Sequence, residues 1–128
     1  MRSKSERDLV LKIAQYMQYR HKDIIYRFDL IADFPMTVGQ ARRVKSIHHT
    51  RGYPDLFIAK PQGEYAGLFL ELKADGITVF KKDGTLRKDD HLKEQAEYMK
   101  RLILAGYKAN FAIGFDDAVK QIEDYLNG

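Results

Sequence analysis

The sequence predicts an α/β fold: a mixed β-sheet flanked by α-helices, with a core order of α-β-β-β-α-β and a further helix at the end. Three observations carry that expectation. Apolar residues recur at helical spacing in two long segments, near the start of the chain and again from Asp89 onward. Between and after them lie short runs rich in β-branched and aromatic residues, bounded by glycine and proline. One of these runs, "GLFLELKADG", is almost continuously apolar, as a strand covered on both faces would be. With 128 residues the chain suits one domain, 1–128, around one core.

Each element has its own warrant. From Ser3 to about Arg20, Leu9, Val10, Ile13, Ala14 and Met17 form one apolar stripe, which predicts a helix. "DIIYRFDLIA", Asp23 to Ala32, reads as a strand that ends at or before Pro35. "TVGQARRVKSIHH", Thr37 to His49, reads as a short basic helix despite Gly39. "DLFIAK" and "AGLFLELKA" are the second and third strands. "TVFKKDGTLRK" predicts a hairpin turning at Asp83-Gly84. Asp89 to Ala105 is a second long helix, with Leu92, Ala96, Met99, Leu102 and Ile103 on its apolar face and Gly106 closing it. "YKANFAIGF" is the fourth strand, and "DDAVKQIEDYL" a final helix with Asp116 as its N-cap.

Composition narrows the possible functions. Hydrophobic residues make up 45% and charged residues 31%, as in a globular chain. No apolar run approaches the length of a membrane span, and "MRSKSERDLVLK" lacks the apolar centre of a signal peptide. The expected location is therefore cytoplasmic, with no membrane partner. Cysteine is absent, which excludes a disulfide scaffold, a cysteine nucleophile and a thiolate zinc site. No GxxxxGK[ST] loop or G-x-S-x-G elbow occurs. Adjacent His48 and His49 would face different directions on a helix, and His91 is expected to be exposed.

The net charge of +4 is unevenly spread. No acidic residue occurs between Asp33 and Asp55, and that gap holds Arg42, Arg43, Lys45 and Arg51. Such a stretch is either a solvated basic helix and loop or a surface that meets phosphates.

Charge also falls where a core strand should have none. Along "LFLELK", Phe69, Glu71 and Lys73 share one face, with the last two roughly 7 Å apart. A buried carboxylate costs several kcal/mol unless something offsets it. Either an ion pair to Lys73 or a divalent cation would do so. Asp55, at the start of the preceding strand, would converge on Glu71 under a suitable pairing. Two converging carboxylates suit Mg²⁺, which keeps several waters and binds hard oxygen ligands.

"PD" at Pro54-Asp55 followed by "ELK" at Glu71-Leu72-Lys73 resembles the PD-(D/E)xK nuclease superfamily. The branch it is most similar to is the VRR-NUC (virus-type replication-repair nuclease) domain. That resemblance extends over most of the chain, through "RGYPDLFIA", "GLFLELKADG" and the glutamine-bearing helix that runs into "GY". It implies a restriction-endonuclease-like fold. It implies that Asp55, Glu71 and the backbone carbonyl of Leu72 ligate Mg²⁺ or Mn²⁺, and that Lys73 acts beside the scissile phosphate. By the same resemblance Gln95 contacts the active site and Glu6 adds a metal or metal-water ligand. Ser3-x-x-Glu6 also reads as a capping box, and the two roles are compatible. The implied function is a metal-dependent DNA endonuclease acting on branched DNA such as four-way junctions, as a homodimer in phage or bacterial settings. The alternatives are a same-fold nuclease for flap, nicked or RNA substrates, and a catalytically silent nucleic-acid-binding module.

Overall fold

Leu9, Val10, Ile13 and Met17 are all buried, and the stripe they form fixes α1 (Lys4–Arg20) against the sheet. The computed structural model describes residues 2–48 and 50–128; His49, the last residue of the expected basic helix, lies outside the described residues. The Ser3 side chain caps α1 by accepting from the Glu6 amide at 3.3 Å. Only this half of the expected capping box is among the described bonds, which leaves the Glu6 carboxylate for other work.

Four strands form one sheet in the order β1 (Tyr26–Phe28), β2 (Leu56–Ile58), β3 (Leu68–Lys73), β4 (Lys108–Ile113). β1 pairs with β2, and β2 with β3, in antiparallel fashion, whereas β3 and β4 run parallel. The sheet is therefore mixed, as expected. Every residue of β3 is buried, in agreement with its continuous apolar character. One face carries Leu56, Ile58, Leu68, Leu70, Leu72 and Ala112, packed against α1 and α4 (Gly114–Asn127). Burying each of the larger side chains contributes about 1.5–3 kcal/mol. The other face carries Phe69 and Ala109, covered by Met99 of α3 (Asp90–Leu104).

Four elements differ from expectation. The first strand is not the whole of Asp23–Ala32 but three residues, followed by a 3₁₀ turn at Ile31–Asp33. Asp29 ends it: its side chain accepts from the Ile31 amide at 3.2 Å, a local turn that competes with continued pairing. The hairpin reduces to a single bridge, Phe80 to Leu86, around the expected Asp83-Gly84 turn. Val79 is buried, but Lys81, Lys82, Arg87 and Lys88 are exposed and give the arms little else to pack. Helix α4 starts two residues earlier than expected, and Asp117 rather than Asp116 serves its start, accepting from the Ile113 amide at 2.8 Å. Ile103 is 52% exposed, so the buried stripe of α3 is Leu92, Gln95 and Met99.

The basic helix α2 (Val38–Ile47) exists and buries no residue. Packing therefore does not explain it. A reciprocal capping box does: Thr37 Oγ1 accepts from the Gln40 amide and Gln40 Oε1 accepts from the Thr37 amide. The T-x-x-Q spacing was there to be read. Among the described residues no helix is long and apolar enough to cross a membrane.

Candidate active site

Register brings the two carboxylates together. Leu56 lies opposite Leu70, so continuing the antiparallel ladder by one step sets Asp55 opposite Glu71. Cross-strand neighbours of that kind have Cβ atoms roughly 4.5–5.5 Å apart. Both side chains are buried, and Lys73, two residues on along the same face, is buried with them. Lys73 Nζ stands 3.9 Å from Glu71 Oε1.

Helix α3 crosses above this pair. Gln95, 4% exposed, donates from Nε2 to Glu71 Oε1 at 2.8 Å. The approach depends on Gly52, whose φ is +90°. A Cβ there would lie 2.8 Å from the Glu94 carbonyl oxygen and 3.2 Å from Gln95 Cα. The loop entering β2 can press against α3 only because this side chain is missing.

Asp55 is held from two sides. Its Oδ2 accepts from the Leu72 amide at 2.7 Å, and its Oδ1 pairs with the Arg2 guanidinium at 2.7 Å. Arg2 also pairs with Asp33 at 2.8 Å and donates to the Asp29 carbonyl at 3.0 Å. It is 9% exposed. No periodicity or motif in the sequence marks this arginine.

Electrostatics follow from this crowding. Burial raises the pKa of Asp55, and the Arg2 charge and the Leu72 N–H oppose that rise. Burial and then the Asp55 charge push Glu71 well above its ordinary value, with Lys73 opposing. Of the two, Glu71 holds its proton the more strongly.

These groups line one cavity of about 310 Å³ together with Glu6, Asp29, Tyr53 and His91. The structure thus brings together Asp55, Glu71, Lys73, Gln95 and Glu6. Leu72 contributes its amide to Asp55 and turns its side chain into the opposite core. Arg42, Arg43, Lys45 and Arg51 are exposed and are not among the cavity's lining residues. Sequence reasoning missed Arg2, Tyr53 and His91 as members of the site. His91 is exposed as expected, yet its Nε2 lies 3.2 Å from Gln95 Nε2, so the ring nitrogen accepts from the amide. Its spacing of four from Gln95 on one helix was the available signal. A larger groove between α3 and α4, lined by Phe80, Lys100, Phe111 and Lys120, shares no residue with this cavity.

The residues fit a divalent cation of the Mg²⁺ kind. Glu71 Oε2 and Gln95 Oε1 are buried without a hydrogen-bond partner, an unusual cost in a folded protein. Among the described residues no cluster of three or more histidine, cysteine or carboxylate side chains could enclose a metal. Glu6 therefore lines the cavity without joining Asp55 and Glu71 as a third close donor. Two carboxylates, with waters and substrate oxygens completing the shell, are what Mg²⁺ usually takes.

No family model matches the chain, and no curated protein matches it. A solved structure described as a "VRR_NUC domain protein" is similar to it, with a TM-score of 0.66 and 23% identity over 99% of this chain and 92% of that one. The chain has the fold of a VRR-NUC domain, α/β with a four-stranded mixed sheet between helices.

Proposed function

We propose that this chain is a divalent-metal-dependent nuclease that hydrolyses phosphodiester bonds in DNA. The observation that carries the reading is the juxtaposition of Asp55 and Glu71 across adjacent strands, with Lys73 on the same face in the same cavity. Arg2 pairs with Asp55 and Lys73 stands near Glu71, yet the two carboxylates adjoin and Glu71 keeps one buried oxygen unpartnered, which is the feature an ion-pair network alone does not use.

When bound, the metal would neutralise charge on the phosphate and acidify a water. Asp55 and Glu71 would hold it; each Asp55 oxygen already has a partner but retains a second lone pair. Lys73 carries a fixed positive charge to the place where negative charge grows on the phosphoryl oxygens. Gln95 orients Glu71 by occupying Oε1, which leaves Oε2 without a hydrogen-bond partner. The exposed arginines of α2 supply phosphate contacts beside the site. Branched DNA and a two-fold dimer are the finer form of the proposal: a four-way junction offers two equivalent strands, which two copies of a minimal domain would engage.

The test is a panel of labelled duplex, flap and four-way-junction DNA with Mg²⁺, Mn²⁺ or EDTA. Cleavage is expected with either metal and not with EDTA. Glu71→Ala is expected to abolish it while the circular-dichroism spectrum stays that of the parent. Cleavage of all substrates in EDTA, or full activity of Glu71→Ala, would overturn the proposal.

A further inference from the structure

Beside the catalytic cavity lies a second one, of about 480 Å³, lined by Arg27, Ile47, His48, Tyr53 and Tyr98 among others. Tyr53 and Asp29 line both, so the two adjoin. We infer that this cleft receives one unpaired nucleobase of the DNA strand whose phosphate sits at Asp55 and Glu71. The inference rests on the nuclease reading and adds the structural class of the substrate: DNA with an unpaired nucleotide next to the scissile bond.

The walls are those of a stacking site. Tyr53 is 44% exposed, yet its ring is fixed by T-shaped contacts to Phe69 and to Tyr98, each with centroids 5.7 Å apart. A ring held on two sides and open on another is a platform that loses little freedom when a second planar group stacks on it. Arg101 lies over the Tyr98 ring at 5.5 Å, fixing that ring as well. Ile47, 60% exposed at the end of α2, adds an apolar side that no part of the described chain covers.

The charges favour a nucleotide over an uncharged ligand. Arg27 is exposed at the middle of β1, directly opposite Phe57 in the ladder, and so projects on the Phe57 and Phe69 face of the sheet. His48 is a further lining residue, and α2 carries Arg42 and Arg43 on the same element as Ile47. Asp29 is the one acid among the lining residues, and its Oδ1 accepts from the Ile31 amide at 3.2 Å. Aromatic platforms beside a basic track are how proteins hold single-stranded nucleic acid, because every base has a π-face. A base inside a duplex has both faces covered by its neighbours and cannot offer one to Tyr53. The cleft therefore discriminates by pairing state rather than by sequence.

The experiment compares a fully paired duplex with the same duplex carrying one unpaired 2-aminopurine at a strand break, with Ca²⁺ replacing Mg²⁺ during binding. The parent is expected to bind the unpaired form about tenfold more tightly, the worth of one stacked base, and to change the 2-aminopurine fluorescence. Tyr53→Leu and Tyr98→Leu should bring that ratio close to one, whereas Tyr53→Phe and Tyr98→Phe, which keep the rings, should retain it. Neutralising Arg42 and Arg43 should weaken both DNAs and leave the ratio. A parent ratio near one, or leucine variants that keep the parent's ratio, overturns the inference. A protein that prefers the unpaired base but cuts nothing in Mg²⁺ or Mn²⁺ refutes the nuclease and supports the base site. One that cuts paired duplex with no preference does the reverse.

Discussion

Replacing Arg2 by methionine keeps the aliphatic stem and removes the guanidinium. Three interactions go at once: Asp55 at 2.7 Å, Asp33 at 2.8 Å and the Asp29 carbonyl at 3.0 Å. The side chains of Arg2 and Asp55 are 5% and 9% exposed, so solvent does little to screen their attraction. Breaking a buried ion pair from one side costs about 3–5 kcal/mol. An unfolding entropy of about 2.1 cal/mol/K per residue gives about 270 cal/mol/K for this chain, so Tm should fall by about 11–19 °C at neutral pH. The loss should shrink in acid. Burial makes the folded chain hold the Asp55 proton more tightly than the unfolded chain does. Its contribution is therefore favourable below the unfolded pKa of about 3.9 and is lost as pH rises through the folded value. Arg2 limits that loss, and its absence is felt mainly above the window. Mn²⁺ should restore part of the stability, and should raise Tm more in Arg2→Met than in the parent, because Arg2 neutralises Asp55 in the parent. Thermal melts by circular dichroism at pH 4 and pH 7, with and without Mn²⁺, read all of this. A Tm within about 2 °C of the parent at pH 7 would refute the energetic reasoning. Equal gains with Mn²⁺ would refute the idea that Arg2 and the cation act on the same carboxylate.

Other substitutions separate the remaining roles. Lys73→Ala should keep metal and DNA affinity and lose turnover by about 10²–10³-fold, the scale of one preorganised charge at a transition state; a parallel loss of affinity would make Lys73 an ordinary phosphate ligand. Arg42→Gln with Arg43→Gln should weaken binding to every DNA sequence alike and flatten the slope of log K against log salt by about 0.9 for each phosphate no longer neutralised; binding like the parent across a salt titration would mean α2 merely carries solvated charge. Gly52→Ala puts a Cβ 2.8 Å from the Glu94 carbonyl oxygen at a φ of +90°, a strain of about 1–3 kcal/mol before the clash is relieved. It should lower Tm and, by displacing Gln95 from Glu71, reduce cleavage; an unchanged melt would show that α3 moves aside without cost.

The elements that the sequence determined by itself are those whose signal is local. The stripe through Leu9, Ile13 and Met17, the apolar run of Leu68 to Leu72 and the glycine after Ala105 each specify one element from its own residues. The charged positions of "LFLELK" and the acid-free stretch before Asp55 likewise pointed to chemistry without a fold in hand. Local signals failed where a side chain competes with the ladder, as Asp29 does, or where an element buries little of itself, as the hairpin does beyond Val79. Tertiary structure alone decided the rest. Asp55 meets Glu71 because Leu56 pairs with Leu70, and a register shifted by one residue would have turned the two carboxylates to opposite faces. Gln95 reaches Glu71 from 24 residues away, through a helix whose approach a missing Cβ permits. Arg2 enters the site from the chain terminus, and Tyr53 meets Tyr98 across 45 positions, encounters that leave no periodic trace. Periodicity records which way a side chain points from its own element; it cannot record which other element arrives to meet it.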